Sequence, residues 1–330
     1  MLAPVGMAMA LIVTAASIYS FSPRHMPPLQ ATRIPVDNMQ LTSIERSTAG
    51  LVVAGELGSI LVSTDEGQSW KPAVVSNERQ ALITRLVFAD DRHGLALGHE
   101  GWILRTEDGG LNWTESNFTA ANGEPLMSAA RLPSGDWLAI GAFGQVMRST
   151  DDGRSWQADS IPDLSDWHLN HIASSADGQQ WLIVGEAGTA LRSDDGGQTW
   201  APIDPFYNGS LYGAVHLGDQ RWVAYGMRGN VFASHDNGAR WQAASVPAPI
   251  SIYGHAALPD GELLIVGQGG MVLSSRDHGL SFNIVRRQGR ASLTDIVVAP
   301  DGRWLLSSDG GLQSHTPAPT AAQPKNDGAA

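Results

Sequence analysis

Six segments, STDEGQSW (Ser63–Trp70), TEDGGLNW (Thr106–Trp113), STDDGRSW (Ser149–Trp156), SDDGGQTW (Ser193–Trp200), SHDNGARW (Ser234–Trp241) and SRDHGLSF (Ser275–Phe282), align without a gap. Their closing aromatics stand at 70, 113, 156, 200, 241 and 282, so the motif returns every 41–44 residues. Each carries Asp five residues before the aromatic (Asp65, Asp108, Asp151, Asp195, Asp236, Asp277) and Gly three before it. A motif copied at one period marks a repeat architecture.

Upstream of each box runs Gly-x-x-Gly followed by alternating apolar residues, as in GELGSILV from Gly55, GHEGWILR from Gly98 and GAFGQVMR from Gly141. Before these lie short apolar runs such as Leu51–Ala54, Trp137–Ile140 and Trp181–Val184. Each unit therefore reads as four short strands joined by tight turns, one propeller blade. A seventh unit, Leu293–Val298, Trp304–Ser307 and Gly311–Ser314, lacks its fourth strand. The alternating stretch Thr32–Val36 is expected to supply it and close the ring, leaving no open edge. The fold expected is all-β: a seven-bladed β-propeller with four-stranded blades over residues 32–315. A signal peptide or membrane anchor (1–22), a linker (23–31) and a disordered tail (316–330) surround it.

The 330 residues hold 21 Lys+Arg against 33 Asp+Glu, a formal net charge of -12. No cationic excess exists to release counterions from nucleic acid, which is excluded as a general partner. There is no cysteine, which removes disulfides, thiolate chemistry, Cys-ligated metals and an acylated-Cys lipid anchor. Met1–Pro23 has no charged residue, and Val5–Ala16 is an apolar run of signal-sequence type although no basic residue precedes it. The body is expected to be exported, in the periplasm or facing the periplasm or lumen from a membrane anchor.

The stretch LVFADDRHGLALGHEGWILRTEDGGLNW (Leu86–Trp113) resembles the consensus blade of the photosystem II stability/assembly factor family, Asp-box (BNR-type) propellers with non-photosynthetic bacterial relatives. The resemblance covers residues 41–315. It implies an exported, non-enzymatic, monomeric factor without cofactor or metal that binds an integral-membrane or membrane-associated client through an arginine-rich surface. In a non-photosynthetic host it implies an accessory of envelope transport.

Six copies of one pattern make the box residues scaffold: Asp caps its own turn, Gly permits positive φ, and the aromatic packs between blades. Antiparallel strands put these turns on one face of the ring, and the Gly-x-x-Gly turns and interblade connections on the other. The second face varies from copy to copy, which is where individual function resides. Its candidate partner-binding residues are Arg79, Arg228, Arg286, Arg287, Arg290, Trp167, Tyr207, Tyr212 and Tyr253, types that dominate protein interfaces. For the cluster Arg286, Arg287 and Arg290 a plain solvated loop is the competing reading, and Arg105, Arg148 and Arg192 are read as strand cover. Sialidases also carry Asp boxes, and Arg33-Ile34-Pro35 resembles their start. Only Tyr207, Tyr212, Tyr225 and Tyr253 stand as candidate nucleophiles, and the short repeat leaves no room for long active-site insertions. Glycan binding through exposed aromatics is the other alternative. His168 and His171 are read as loop histidines, not a metal pair.

Overall fold

The computed structural model describes residues 3–21, 35–119, 123–162 and 164–318. It divides into two units, Met1–Ile34 and Pro35–Ala330. In the first, Ala3–Phe21 is a 19-residue α-helix whose described side chains are exposed. Among the described residues no helix is long and apolar enough to cross a membrane. The expected linker 23–31 lies outside the described residues, as does the expected tail beyond residue 318.

The second unit is a ring of seven antiparallel sheets in sequence order. Their innermost strands are Leu41–Ser47, Ile83–Phe88, Leu126–Arg131, Leu169–Ser174, Leu211–His216, Ile252–Ala257 and Leu293–Val298. Each packs against the inner strand of the next blade, and the last packs against the first. The second strands of blades 2 to 7 are buried along their whole length. That explains their near-continuous apolar sequence, broken only by Ser307 and Ser308 in blade 7, since both of their faces meet a neighbouring blade.

The Gly-x-x-Gly turns need their two glycines for different reasons. Gly55 is extended, but a Cβ there would lie 1.9 Å from the Gln40 carbonyl oxygen, so the need is for space. Gly58 has φ +67 and a Cβ would also meet the Arg79 carbonyl oxygen at 2.2 Å.

Within the box Ser63–Trp70, the Ser63 hydroxyl donates to Asp65 Oδ1 (2.7 Å) and accepts the Gly67 N–H (2.8 Å). Asp65 accepts the Ser69 N–H at 2.8 Å and the Ser69 hydroxyl at 2.5 Å. The same net recurs at Asp151, Asp195 and Asp277, and at Asp108 and Asp236 with a side-chain N–H of Asn112 and of Arg240 in place of the hydroxyl. Hydrogen bonds from Ser69 and Ser63 hold the Asp65 carboxyl down to about 2, and those from Thr199 and Ser193 do the same for Asp195. These bonds favour the ionised carboxylates. Their contribution is present above the unfolded carboxylate value of 3.8 and is lost as pH falls toward about 2. Tryptophan fluorescence across that window should show cooperative acid unfolding, with a shallower pH dependence in Asp195→Asn. A stability independent of pH there would contradict the capping account.

Closure by a strand at Thr32–Val36 is not shown among the described residues, although the Leu312 N–H of blade 7 donates to the Val36 carbonyl at 3.0 Å. Residues 32–34 lie outside the described residues, and Pro35 and Val36 are not in a strand. Val36–Asn38 is a 3-10 turn, closed by the Asn38 N–H on the Pro35 carbonyl at 2.9 Å. Proline has no N–H to give a ladder. Among the described residues blade 7 has three strands, and the sheet of blade 2 gains a fifth from Val74–Val75. The seam between blades 7 and 1 is held by side chains. Thr294 donates to the Leu41 carbonyl (2.9 Å), and Asp295 Oδ2 accepts the Ser43 hydroxyl (3.2 Å) and the Ile44 N–H (3.4 Å).

Candidate functional site

The first residue after the second strand opens each Gly-x-x-Gly turn, and the next residue sits in the left-handed region: Leu57, Glu100, Phe143, Ala187, Arg228 and Gly269, with φ between 52 and 69. The backbone is the same in six blades while the side chain at its apex differs in each. Leu57 and Phe143 are large apolar residues in a conformation that costs about 1 kcal/mol outside glycine, and Phe143 is nevertheless 58% exposed. His168 stands edge-on to the Phe143 ring with centroids 4.8 Å apart, beside Trp167, which is 47% exposed.

The arginines and aromatics singled out on this face separate into two groups. Arg228, Arg287 and Arg290 are exposed. Arg286 is 6% exposed. Its guanidinium donates to the Gly270 carbonyl (2.6 Å) and to Gln313 Oε1 (2.7 Å), tying blade 6 to blade 7. Arg79 is also engaged inside the molecule, with a two-point ion pair to Glu115 at 2.6 and 2.8 Å and its guanidinium 3.4 Å over the Phe118 ring. Tyr207 packs on Phe232 (5.3 Å), and Tyr212 meets Tyr253 across adjacent blades (5.4 Å). The column read as strand cover instead forms ion pairs: Arg105 with Asp152 of the next blade at 2.5 Å, Arg148 with Asp159 at 2.7 Å, and Arg192 with Asp194 at 2.9 Å.

A second constellation, not assembled by the sequence reading, lies on the ring axis. The third residue of each inner strand faces the channel in register: Ser43, Arg85, Ser128, His171, Gly213, Gly254 and Asp295. Polar residues at that position of an otherwise apolar strand, in five of seven copies, were the available signal. Of these, Arg85, Ser128, His171 and Asp295 line, together with Glu45 and His255, a cavity of about 380 Å³. His171 is thus an inner-strand residue and not a loop histidine.

Burial, then repulsion from Asp295, pushes the Glu45 carboxyl up to about 8, against the opposing pull of Arg85. Burial likewise raises Asp295. The pair therefore retains a proton at neutral pH, because two close carboxylates with little water cannot both ionise. Burial, then the charge of Arg85, depresses His255 to about 3 and His171 well below its ordinary value. Both imidazoles are neutral. Burial raises the Tyr225 phenol, whose oxygen lies 2.6 Å from His255 Nδ1. Gly213 makes room for it, since a Cβ there would lie 2.2 Å from that oxygen.

The family model of photosynthesis system II assembly factor YCF48 matches residues 16–107 and 127–321. The chain belongs to the YCF48 family. It is 41% identical over 56 residues to the photosystem II assembly lipoprotein Ycf48 of Synechococcus sp. (strain CC9902), a match spanning 17% of this chain and 16% of that protein. It is similar to a structure of YCF48 bound to D1 peptide (TM-score 0.67, 18% identity, 89% of this chain and 96% of that one). It is similar too to YCF48 from Cyanidioschyzon merolae (0.64, 16%, 86% and 96%). A catalytically inactive virginiamycin B lyase from Staphylococcus aureus with quinupristin superposes as well (0.70, 14%, 86% and 97%). At these identities the structural likeness speaks to the propeller alone, and it is the sequence model that assigns YCF48 membership.

Proposed function

We propose that this YCF48-family propeller is a non-enzymatic assembly or stability factor that holds a membrane-protein client on its Gly-x-x-Gly face. The observation that carries the reading is the set of exposed, copy-specific side chains raised on an invariant turn scaffold, Phe143 and Arg228, with Trp167 in the neighbouring interblade connection and Arg287 and Arg290 on the same face. An exposed aromatic held at a strained backbone position points to use in contact. The relative solved with D1 peptide supports a peptide segment of such a client as the ligand. In a host without photosystem II the client is a component of an envelope transport system. The named relative is a lipoprotein, whereas these 330 residues contain no cysteine to acylate. Export on the apolar N-terminal segment serves the same placement, at the periplasmic or lumenal side.

The enzymatic alternative fares worse. A sialidase needs an arginine triad, and among the described residues lining the channel cavity Arg85 is the one arginine. Tyr225 is hydrogen-bonded to a neutral histidine instead of a carboxylate.

Crosslinking from native membranes is the test. Wild type should capture a specific integral-membrane protein, and a variant with Arg228, Arg287 and Arg290 changed to Ala should lose it while melting unchanged. Capture of the same protein by both would remove the assigned face. Phe143→Gly should separate stability from binding. Relief of the left-handed strain is expected to stabilise the fold by up to about 1 kcal/mol, while client capture falls. A variant that is less stable or captures equally well would contradict the role of Phe143.

A further inference from the structure

The axial cavity lies apart from the face assigned to the client. Its lining includes Phe88, Ser174, His216 and Ala257, the far ends of inner strands that start at the Gly-x-x-Gly face. The cavity therefore opens toward the Asp-box face.

We propose that this cavity binds a small zwitterion of amino-acid size, its carboxylate held by Arg85 and the Nε2–H of His171, and its ammonium by the Glu45–Asp295 pair. This goes beyond the client-binding reading and does not rest on it.

Three observations converge. The Arg85 guanidinium, with five N–H donors, makes no hydrogen bond or ion pair with any described residue, unlike Arg46, Arg79, Arg105 and Arg148 of the same ring. The Glu45 carboxyl is equally without a hydrogen-bond partner among the described residues, although it feels the Arg85 charge. Opposite charges that share a channel and stay beyond ion-pair distance leave a gap between them, and here the gap is the cavity of about 380 Å³. That volume falls within the range of small-molecule sites, roughly 300–1,000 Å³.

His171 supplies the third observation. It is 7% exposed and its Nδ1 accepts the Ala214 N–H at 3.2 Å. An accepting Nδ1 on a neutral ring places the proton on Nε2. That N–H has no partner among the described residues, and the residue lines the cavity.

Charge selects the class of ligand. Arg85 is balanced by the single charge that the carboxyl pair carries when it keeps one proton. A simple anion on Arg85 would leave an uncompensated negative charge in a site poor in water, and a simple amine would leave the guanidinium bare. A molecule with both groups satisfies both ends and keeps the site neutral.

The test uses the full chain, calorimetry and thermal melting, with free L-alanine, L-glutamine and L-leucine as probes and acetate and ethylammonium as half-ligands. At least one amino acid should saturate with a Kd below about 1 mM and raise the melting temperature, while neither half-ligand does. Arg85→Met should weaken that binding more than about tenfold, as expected for loss of a charge-assisted contact. If Arg85→Met does not fold, Glu45→Gln serves instead, and the preference for the zwitterion over acetate should shrink. Failure of every amino acid to saturate, acetate binding as tightly as the zwitterion, or unchanged binding and preference in the folded variant would each overturn the proposal.

Discussion

Replacing Trp113 by alanine is expected to destabilise the propeller by about 3–5 kcal/mol, the usual range for truncating a fully buried large aromatic. Trp113 is 1% exposed and closes its Asp box by donating Nε1–H to the Gly110 carbonyl at 2.8 Å. Its ring meets Phe88 edge-on at 6.1 Å and packs between Val52 and Ala54 of blade 1 and Leu86, Ala96 and Leu104 of blade 2. The substitution empties the space between two blades, where the main chain is bridged by the short parallel pairing of Val74–Val75 with Asn112–Trp113. Trp70 occupies the matching position of the first box but is only partly buried. Trp70→Ala should therefore cost well under half as much. Urea unfolding of both variants, read by circular dichroism, checks the ordering, and equal losses would show that interblade burial is not what these aromatics supply.

The second large effect is a fall in stability on the alkaline side, removed by Glu45→Gln. Glu45 is deep in the ring, though part of its surface meets channel water, and its carboxyl is raised from 4.5 to about 8. A carboxyl raised on folding binds more protons in the native state than in the unfolded one. Its contribution is complete below the unfolded value and is lost as pH rises through about 8. Asp295, also raised, acts in the same direction. His171 and His255, depressed on folding, act oppositely: they add stability as pH rises to their unfolded value of 6.5. Stability should thus peak near neutrality and decline above it, by an amount on the order of 2 kcal/mol once screening by channel water is allowed for. Glu45→Gln keeps the shape and removes the charge, so the decline should flatten and the variant should be the more stable protein at alkaline pH. Chemical denaturation across the neutral-to-alkaline range decides it. A wild type that gains stability there, or a variant with the same slope, would contradict the buried carboxyl pair.

How much of this was legible from the chain depends on whether a feature is local or assembled. The boxes, the Gly-x-x-Gly turns and the blade count are local. Ser63, Asp65, Gly67 and Ser69 satisfy one another within seven residues, so the motif carries its own geometry wherever it occurs. The manner of closure was not legible, because Thr32–Val36 has the alternation of a strand, while at its described end Val36–Asn38 is a 3-10 turn whose Val36 carbonyl accepts the Leu312 N–H of blade 7. Arg286, Arg287 and Arg290 are adjacent in sequence, yet only tertiary packing turns Arg286 inward onto Gly270 and Gln313 and leaves the other two outside.

The channel shows the same division most clearly. The sequence by itself determined that seven like units would stack and that the third residue of an inner strand would be polar in most of them. It could not bring Glu45, Arg85, His171, His255 and Asp295 together, since they are contributed by five blades and span 250 residues. Only the closed ring converts equal register in separate strands into proximity on one axis, and only there does the loss of water shift their protonation. Periodicity is a property of the chain, whereas desolvation and charge coupling are properties of the space the chain encloses.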